Sequence, residues 1–160
     1  MAKSENIYGM DEVDRKICGI LQRDGRCPSA EIAEAVRVSV STANERVRRL
    51  SARGIVREYS AVLDRDAVGA GLCAFVLIDM DYAGEEEAAA ALTARREVME
   101  LHHISGAHSY LAKLRLRDTR ALQVFLKDVV KPLAAVKSTE SILSLEALKE
   151  TSAVLVASER

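Results

Sequence analysis

Apolar residues recur at helical spacing through the first sixty positions and at strand spacing through most of the rest. In "MDEVDRKICGILQRDG", Val13, Ile17, Ile20 and Leu21 fall on one helical face. Asp11 is placed to cap this helix, with Asp14 three residues on as a weaker form of the capping box, and Gly25 ends it. Pro28 or Ser29 opens a second helix that runs to about Val36 and turns Ile32, Ala33 and Val36 inward. Ser39 caps a third, "VSTANERVRRLSARG", with Ala43, Val47 and Leu50 facing in and Gly54 as the stop. The next stretch, "IVREYSAVLD", has the β-branched and aromatic content of a strand.

After "DRDAVGAG", which reads as a linker turn, the period changes. "LCAFVLIDMD" predicts a buried strand, and "GEEEAAAALTARREV" predicts a helix with acids at its start and Arg95 and Arg96 at its end, as the helix dipole prefers. "MELHHIS" and "SYLAKLRLR" predict two strands around the turn "GAH"; the second alternates Leu111, Lys113, Arg115 and Arg117 against Ala112, Leu114 and Leu116. "DTRALQVFLKDVV" predicts a helix opened by Asp118, with Pro132 just past it, and "STESILSLEAL" a last strand. The order is β-α-β-β-α-β, a ferredoxin-like arrangement. The fold expected is therefore α+β: an N-terminal (winged) helix-turn-helix domain over 1–60, a strand or hinge over 61–71, a ferredoxin-like domain over 72–150 and a tail over 151–160.

Composition narrows the function. Of 160 residues, 49% are apolar and 29% charged, as in a soluble globular protein, and the near absence of aromatics leaves an aliphatic core. The longest charge-free apolar run, "AVGAGLCAFVLI", is too short to span a bilayer. The opening "MAKSENIYGMDEVD" lacks a signal-type apolar segment, which points to the cytoplasm. Cys18, Cys27 and Cys73 show no CxxC spacing and read as free thiols. A net charge of −1 excludes a grossly basic nucleic-acid binder but hides a local excess. Between 37 and 57 lie Arg37, Arg46, Arg48, Arg49, Arg53 and Arg57 against Glu45 alone.

That excess falls on the third helix, which follows a second helix through a tight turn, the layout of a helix-turn-helix. Ser41, Thr42, Glu45, Arg48 and Arg49 face mostly out, with Asn44 and Arg46 on the flanks. Short polar side chains occupy the first turn, where a recognition helix meets base edges; arginines follow where phosphates lie. Taken alone, such a helix is more simply a solvated face; three helices in this order favour DNA. "GAGLCA" matches GxGxxA at Gly69, Gly71 and Ala74, but a strand follows it instead of a helix, so it reads as linker. Asp79, Asp81, Glu85, Glu86 and Glu87 read as a strand end and an acidic helix start. His102, His103 and His108 crowd the "HHISGAH" turn, yet strand neighbours face apart and no cysteine is near, so no metal site is expected.

In "MDEVDRKICGILQRDGR", "SVSTANERVRRLSARGIVREYSAVLD" and "HHISGAHSYLAKLRLRD" the chain resembles the Lrp/AsnC (feast/famine) transcriptional regulators over roughly residues 10 to 150. The resemblance implies a DNA-binding domain joined to an effector-binding, oligomerising domain. It also implies a homodimer formed through the sheets and assembling to tetramers or octamers, a small-molecule effector such as an amino acid, no cofactor and no enzyme activity. Ser39, Ser41, Thr42, Asn44, Glu45, Arg46, Arg48, Arg49 and Arg53 are the candidates for contact with a pseudo-palindromic double-stranded DNA operator. His102, Gly106, Ala107, His108, Ser109, Tyr110, Thr139 and Ser141 are the candidates for the effector. The family pattern carries acids and an aromatic where this chain has Ala107, His108 and Ser109, and Gly where it has Arg37 and Ala135. Arg37 either adds a phosphate contact or marks a turn that needs no positive φ. His108 could favour an acidic ligand, make the response pH-dependent or fill space. Two alternatives use the same fold: an enzyme resembling siroheme decarboxylases, with the histidines as proton donors, and an effector-binding module without DNA affinity.

Overall fold

In a computed structural model, which describes residues 9–156, α1 (Glu12–Arg23) begins where the Asp11 carboxylate accepts the Asp14 amide at 2.8 Å. Residues 1–8 of the expected first domain and 157–160 of the expected tail lie outside the described residues. Asp14 does not reciprocate as a capping-box acid; its side chain is buried. α2 (Ser29–Val36) follows Pro28, whose ring already fixes a helix-compatible φ of −60°. α3 (Val40–Ala52) starts where Ser39 Oγ accepts the Thr42 amide at 3.1 Å. Ile17, Ile32, Ala33, Ala43 and Leu50 close a core between the three helices.

Arg37, the last residue of the α2 turn, adopts φ 58° and ψ 51°. This turn does require the left-handed region, so the expectation that it might not is overturned. A Cβ there costs roughly 1–2 kcal/mol, of which a glycine returns part through the looser unfolded chain, about 0.4–1 kcal/mol. Arg37→Gly is therefore expected to stabilise the helical unit by about 0.5–1 kcal/mol, read as a higher urea midpoint at unchanged slope.

Residues 55–64 form no strand, contrary to the β-rich composition, and no wing is formed among the described residues. Composition makes a strand possible, but only a backbone neighbour makes one, and no ladder reaches this segment. The linker turn does form: Asp64 Oδ1 accepts the Ala67 amide at 2.9 Å, and the Ala70 amide donates to Arg65 O at 2.7 Å.

The second unit is one antiparallel sheet in the order β2-β3-β1-β4, made of β1 (Leu72–Met80), β2 (Val98–His103), β3 (Tyr110–Leu116) and β4 (Val136–Leu143). α4 (Glu85–Thr93) connects β1 to β2, and α5 (Thr119–Phe125) leads from β3 toward β4. Asp118 caps α5, which widens into a π-helical turn over Leu126–Val130 before Pro132. Ala74, Val76, Ile78 and Met80 of β1 and Ala112, Leu114 and Leu116 of β3 point to the face covered by Ala88 and Leu92 of α4 and Leu122 and Phe125 of α5. Phe75 and Leu77, with Leu111 and Ile142 beside them in register, point to the other face. β4 stops at Leu143, short of the expected Leu148. β1 begins at Leu72, so after the Ser144 amide has paired with Cys73 O there is no partner left.

The chain divides into two compact units after Ala61 and again after Lys149. Residues 150–156 therefore belong with α1–α3. Gln22 takes the Val154 backbone with both ends of its amide: Nε2 donates to the Val154 carbonyl at 3.1 Å and Oε1 accepts the Val154 amide at 2.7 Å. Val156 packs against the helical core.

Candidate nucleic-acid interface and effector turn

α3 presents two kinds of side chain. Ala43 and Leu50 are fully buried, and Val47 packs beside them. Ser41, Thr42, Asn44, Glu45, Arg48 and Arg49 are exposed. Ser39 is occupied at the cap, with its hydroxyl near those of Ser41 at 2.9 Å and Thr42 at 2.8 Å. Asn44 is tied back to α2, where Ser29 Oγ donates to its Oδ1. Glu45 and Arg48 pair on the open surface, and the Arg48 side chain is 77% exposed.

The remaining arginines are more committed than an outward-facing pattern predicts. Arg46 Nη1 donates to Asp11 Oδ2 at 2.6 Å and to Asp14 Oδ1 at 2.8 Å, with only 21% of its side chain exposed. Arg49 Nη2 donates to both Asp14 oxygens, at 3.0 and 3.1 Å, and keeps 45% exposure. Arg53 closes α3, with Nη1 donating to Gly9 O at 2.8 Å. Burial pushes the Asp11 carboxyl up, but the Asp14 amide and the Arg46 guanidinium outweigh it and hold the group below the usual carboxylate range.

At the other site the three histidines go to separate acids. His102 Nε2 lies 3.2 Å from Glu100, His103 Nε2 lies 3.9 Å from Glu85, and His108 Nδ1 lies 3.2 Å from Asp79. His108 Nε2 also sits 3.7 Å from Glu140. Among the described residues no three His, Cys, Asp or Glu side chains converge as metal ligands. His103 stacks on Tyr110, with ring centroids 4.9 Å apart, and the Tyr110 hydroxyl donates to Glu85 at 2.8 Å. That hydrogen bond raises the Tyr110 phenol above its ordinary range. Gly106 takes φ 125° in the turn, a conformation open to glycine. Ser109 Oγ accepts the Met80 amide at 3.4 Å, which joins the turn to the end of β1.

Asp79 is the junction of this region. The Ser138 hydroxyl first, and then His108, hold its carboxyl below the usual range. A depressed carboxylate adds stability above its unfolded pKa of about 3.9 and loses it as pH falls through the lower folded value. Asp79→Asn should therefore have a lower urea midpoint than wild type at pH 7, and the difference should shrink steadily as pH falls below the ordinary carboxylate range. A difference that does not change with pH would mean that Asp79 acts by packing and not by charge.

The comparisons with known proteins fall on both units. Residues 10–51 match the AsnC-type helix-turn-helix domain, and residues 73–154, just over half of the chain, match the Lrp/AsnC ligand binding domain. The chain belongs to the Lrp/AsnC family. It is similar to the HTH-type transcriptional regulator FL11 of Pyrococcus abyssi, 33% identical over 142 residues that cover 89% of this chain and 93% of that one. It is also similar to the leucine-responsive regulatory protein of Salmonella typhimurium, 31% identical over 150 residues covering 92% of each. Among solved structures, a transcriptional regulator of Neisseria meningitidis in complex with L-Met superposes with a TM-score of 0.87 at 30% identity, over 91% of this chain and 96% of that one. The protein is accordingly a DNA-binding transcriptional regulator of the Lrp/AsnC type, with an α+β fold in which a helix-turn-helix precedes the sheet unit.

Set against that family, the effector candidates divide by strand parity. Thr139 and Ser141 pair in register with Ile78 and Val76, whose side chains face the helices. It is their neighbours Ser138 and Glu140 that reach Asp79 and His108. A one-residue change of parity exchanges the two faces of a strand, and a run of polar residues such as "KSTES" does not fix that parity. Asp79 and Glu85 were readable only as a strand-end and a helix-start acid, because their histidine and tyrosine partners lie 18 to 29 positions away in sequence.

Proposed function

We propose that this Lrp/AsnC regulator reads DNA as a homodimer, with the two copies of α3 entering successive major grooves of a pseudo-palindromic duplex about 10 bp apart. The observation that carries the reading is the capped α3 with Ser41, Thr42, Glu45 and Arg48 exposed opposite its buried Ala43 and Leu50. Ser41, Thr42, Asn44 and Glu45 are assigned to base edges. Of the arginines, Arg48 leads for phosphate contact because a phosphate can displace its exposed Glu45 partner; Arg49 and Arg53 follow. Residues 1–60 form the reading head, 61–71 the hinge and 72–150 the effector and oligomerising domain. Arg48→Ala is expected to flatten the dependence of log K on log salt by about one unit per lost contact. An unchanged slope in a salt titration against the protein's own upstream DNA removes Arg48 from that role.

The helix-free face of the sheet, with Phe75, Leu77, Leu111 and Ile142, is assigned to the dimer interface, and further assembly to tetramers or octamers follows the family. The turn Ser105–Tyr110 is assigned to a small metabolite. An amino acid is the first class to try, since the similar Neisseria meningitidis regulator was solved with L-Met. A thermal-shift screen against amino acids and related metabolites tests this, because a ligand held by the folded state raises its melting temperature. We assign the protein to the cytoplasm because its DNA lies there. No helix among the described residues is long and apolar enough to cross a membrane. No catalytic step is assigned to it. Each histidine is engaged with its own carboxylate, and an unchanged absorbance spectrum on titration with a tetrapyrrole is the expected result.

A further inference from the structure

We propose that Asp14 is a specificity-determining residue: it holds α3 in its reading pose and, by neutralising Arg46 and Arg49, withholds charge that would otherwise bind any DNA. The inference rests on α3 being the recognition helix. Asp14 lies on α1, 1% exposed, and both of its carboxylate oxygens are taken by arginines of α3. No other charged or polar residue is buried as deeply in the core of either unit among the described residues. Asp11 adds a second carboxylate to Arg46, so the two acids of α1 balance two cations of α3. A buried carboxylate is strongly disfavoured by its lost hydration unless it is paired, so the geometry is enforced from both sides.

Two consequences follow from the exposures. Arg46, mostly enclosed, behaves as a strut between α1 and α3 and is absent from the phosphate footprint. Arg49, half exposed, is shared between Asp14 and solvent. The sequence-independent attraction of α3 is thereby held to fewer charges than its arginine count suggests, and discrimination falls to the residues at its N-terminal turn. Non-specific binding is almost wholly electrostatic, so every charge withheld lowers it, while base contacts are untouched.

The test uses full-length protein, its own upstream DNA segment and a scrambled duplex of equal length, titrated from 50 to 200 mM salt. Asp14→Asn frees one or both arginines per protomer. Its loss of affinity for scrambled DNA across that range should deepen by about 12-fold for one freed arginine per protomer, two in the dimer, and about 150-fold for two per protomer, and its ratio of upstream to scrambled affinity should fall. Arg46→Met provides the arm that does not depend on an unpaired buried acid being tolerated, because Arg49 still pairs Asp14. It should leave the salt slope unchanged while lowering the same ratio, whereas Arg48→Met should flatten the slope. A slope flattened equally by Arg46→Met and Arg48→Met overturns the proposal, as does an Asp14→Asn variant, folded by circular dichroism, with wild-type slope and ratio. If the wild-type protein binds neither duplex, the recognition-helix assignment fails, and this inference with it. Wild-type binding with either contrary result defeats this inference alone.

Discussion

Leu50→Ala is expected to destabilise the helical unit by about 2–5 kcal/mol and to abolish DNA binding while the sheet unit stays folded. Leu50 has no exposed surface and sits among Ile17, Ile32, Ala33 and Ala43 in a core separate from that of the sheet. A small core with few large side chains has little to collapse into the cavity, which places the cost toward the upper part of that range. Loss of several kcal/mol is also most of what a domain of this size holds in reserve. Calorimetry should show one transition falling sharply and the other unmoved. One common transition that shifts as a whole would show instead that the two units melt together.

The second large effect is expected at the open face of the sheet. Phe75 lies between Lys113 and Ile142 in register, on the face that α4 and α5 leave uncovered. Phe75→Glu keeps a neighbour of opposite charge within the protomer, so the fold should tolerate it, but in the proposed dimer it sets two carboxylates into one symmetric contact. Light scattering should show monomers in place of dimers. Losing the second recognition helix should cost about 100-fold or more in affinity for the upstream DNA, because the second half-site no longer binds as an intramolecular event. A dimeric Phe75→Glu protein would move the interface elsewhere.

Much of this architecture was legible in the amino-acid sequence. The period of 3.6 marked α1–α3, and the caps Asp11, Ser39 and Asp118 each perform as their positions predict. The alternation in "SYLAKLRLR" placed Ala112, Leu114 and Leu116 against the helices. What failed has a common physical cause. Residues 55–64 and 144–148 have strand-like content, but pairing is decided by a distant backbone that composition does not report. Helical spacing put Arg46 and Arg49 on or near the outer face. It could not show that Asp14, 32 and 35 positions earlier, draws both guanidiniums inward. Arg37 shows the reverse difficulty: a side chain that disfavours the left-handed region nonetheless occupies it at the end of α2, which residue type alone argues against.

The pairing of Gln22 with Val154 has a consequence for cutting the molecule into parts. The backbone that satisfies the Gln22 amide, and the Val156 side chain that covers part of the helical core, stand on the far side of the sheet unit in sequence. The helical unit is therefore built from two stretches, with the whole of the sheet unit inserted between them. A fragment that stops at Ala61 keeps α1, α2 and α3 but leaves behind the segment that finishes their core.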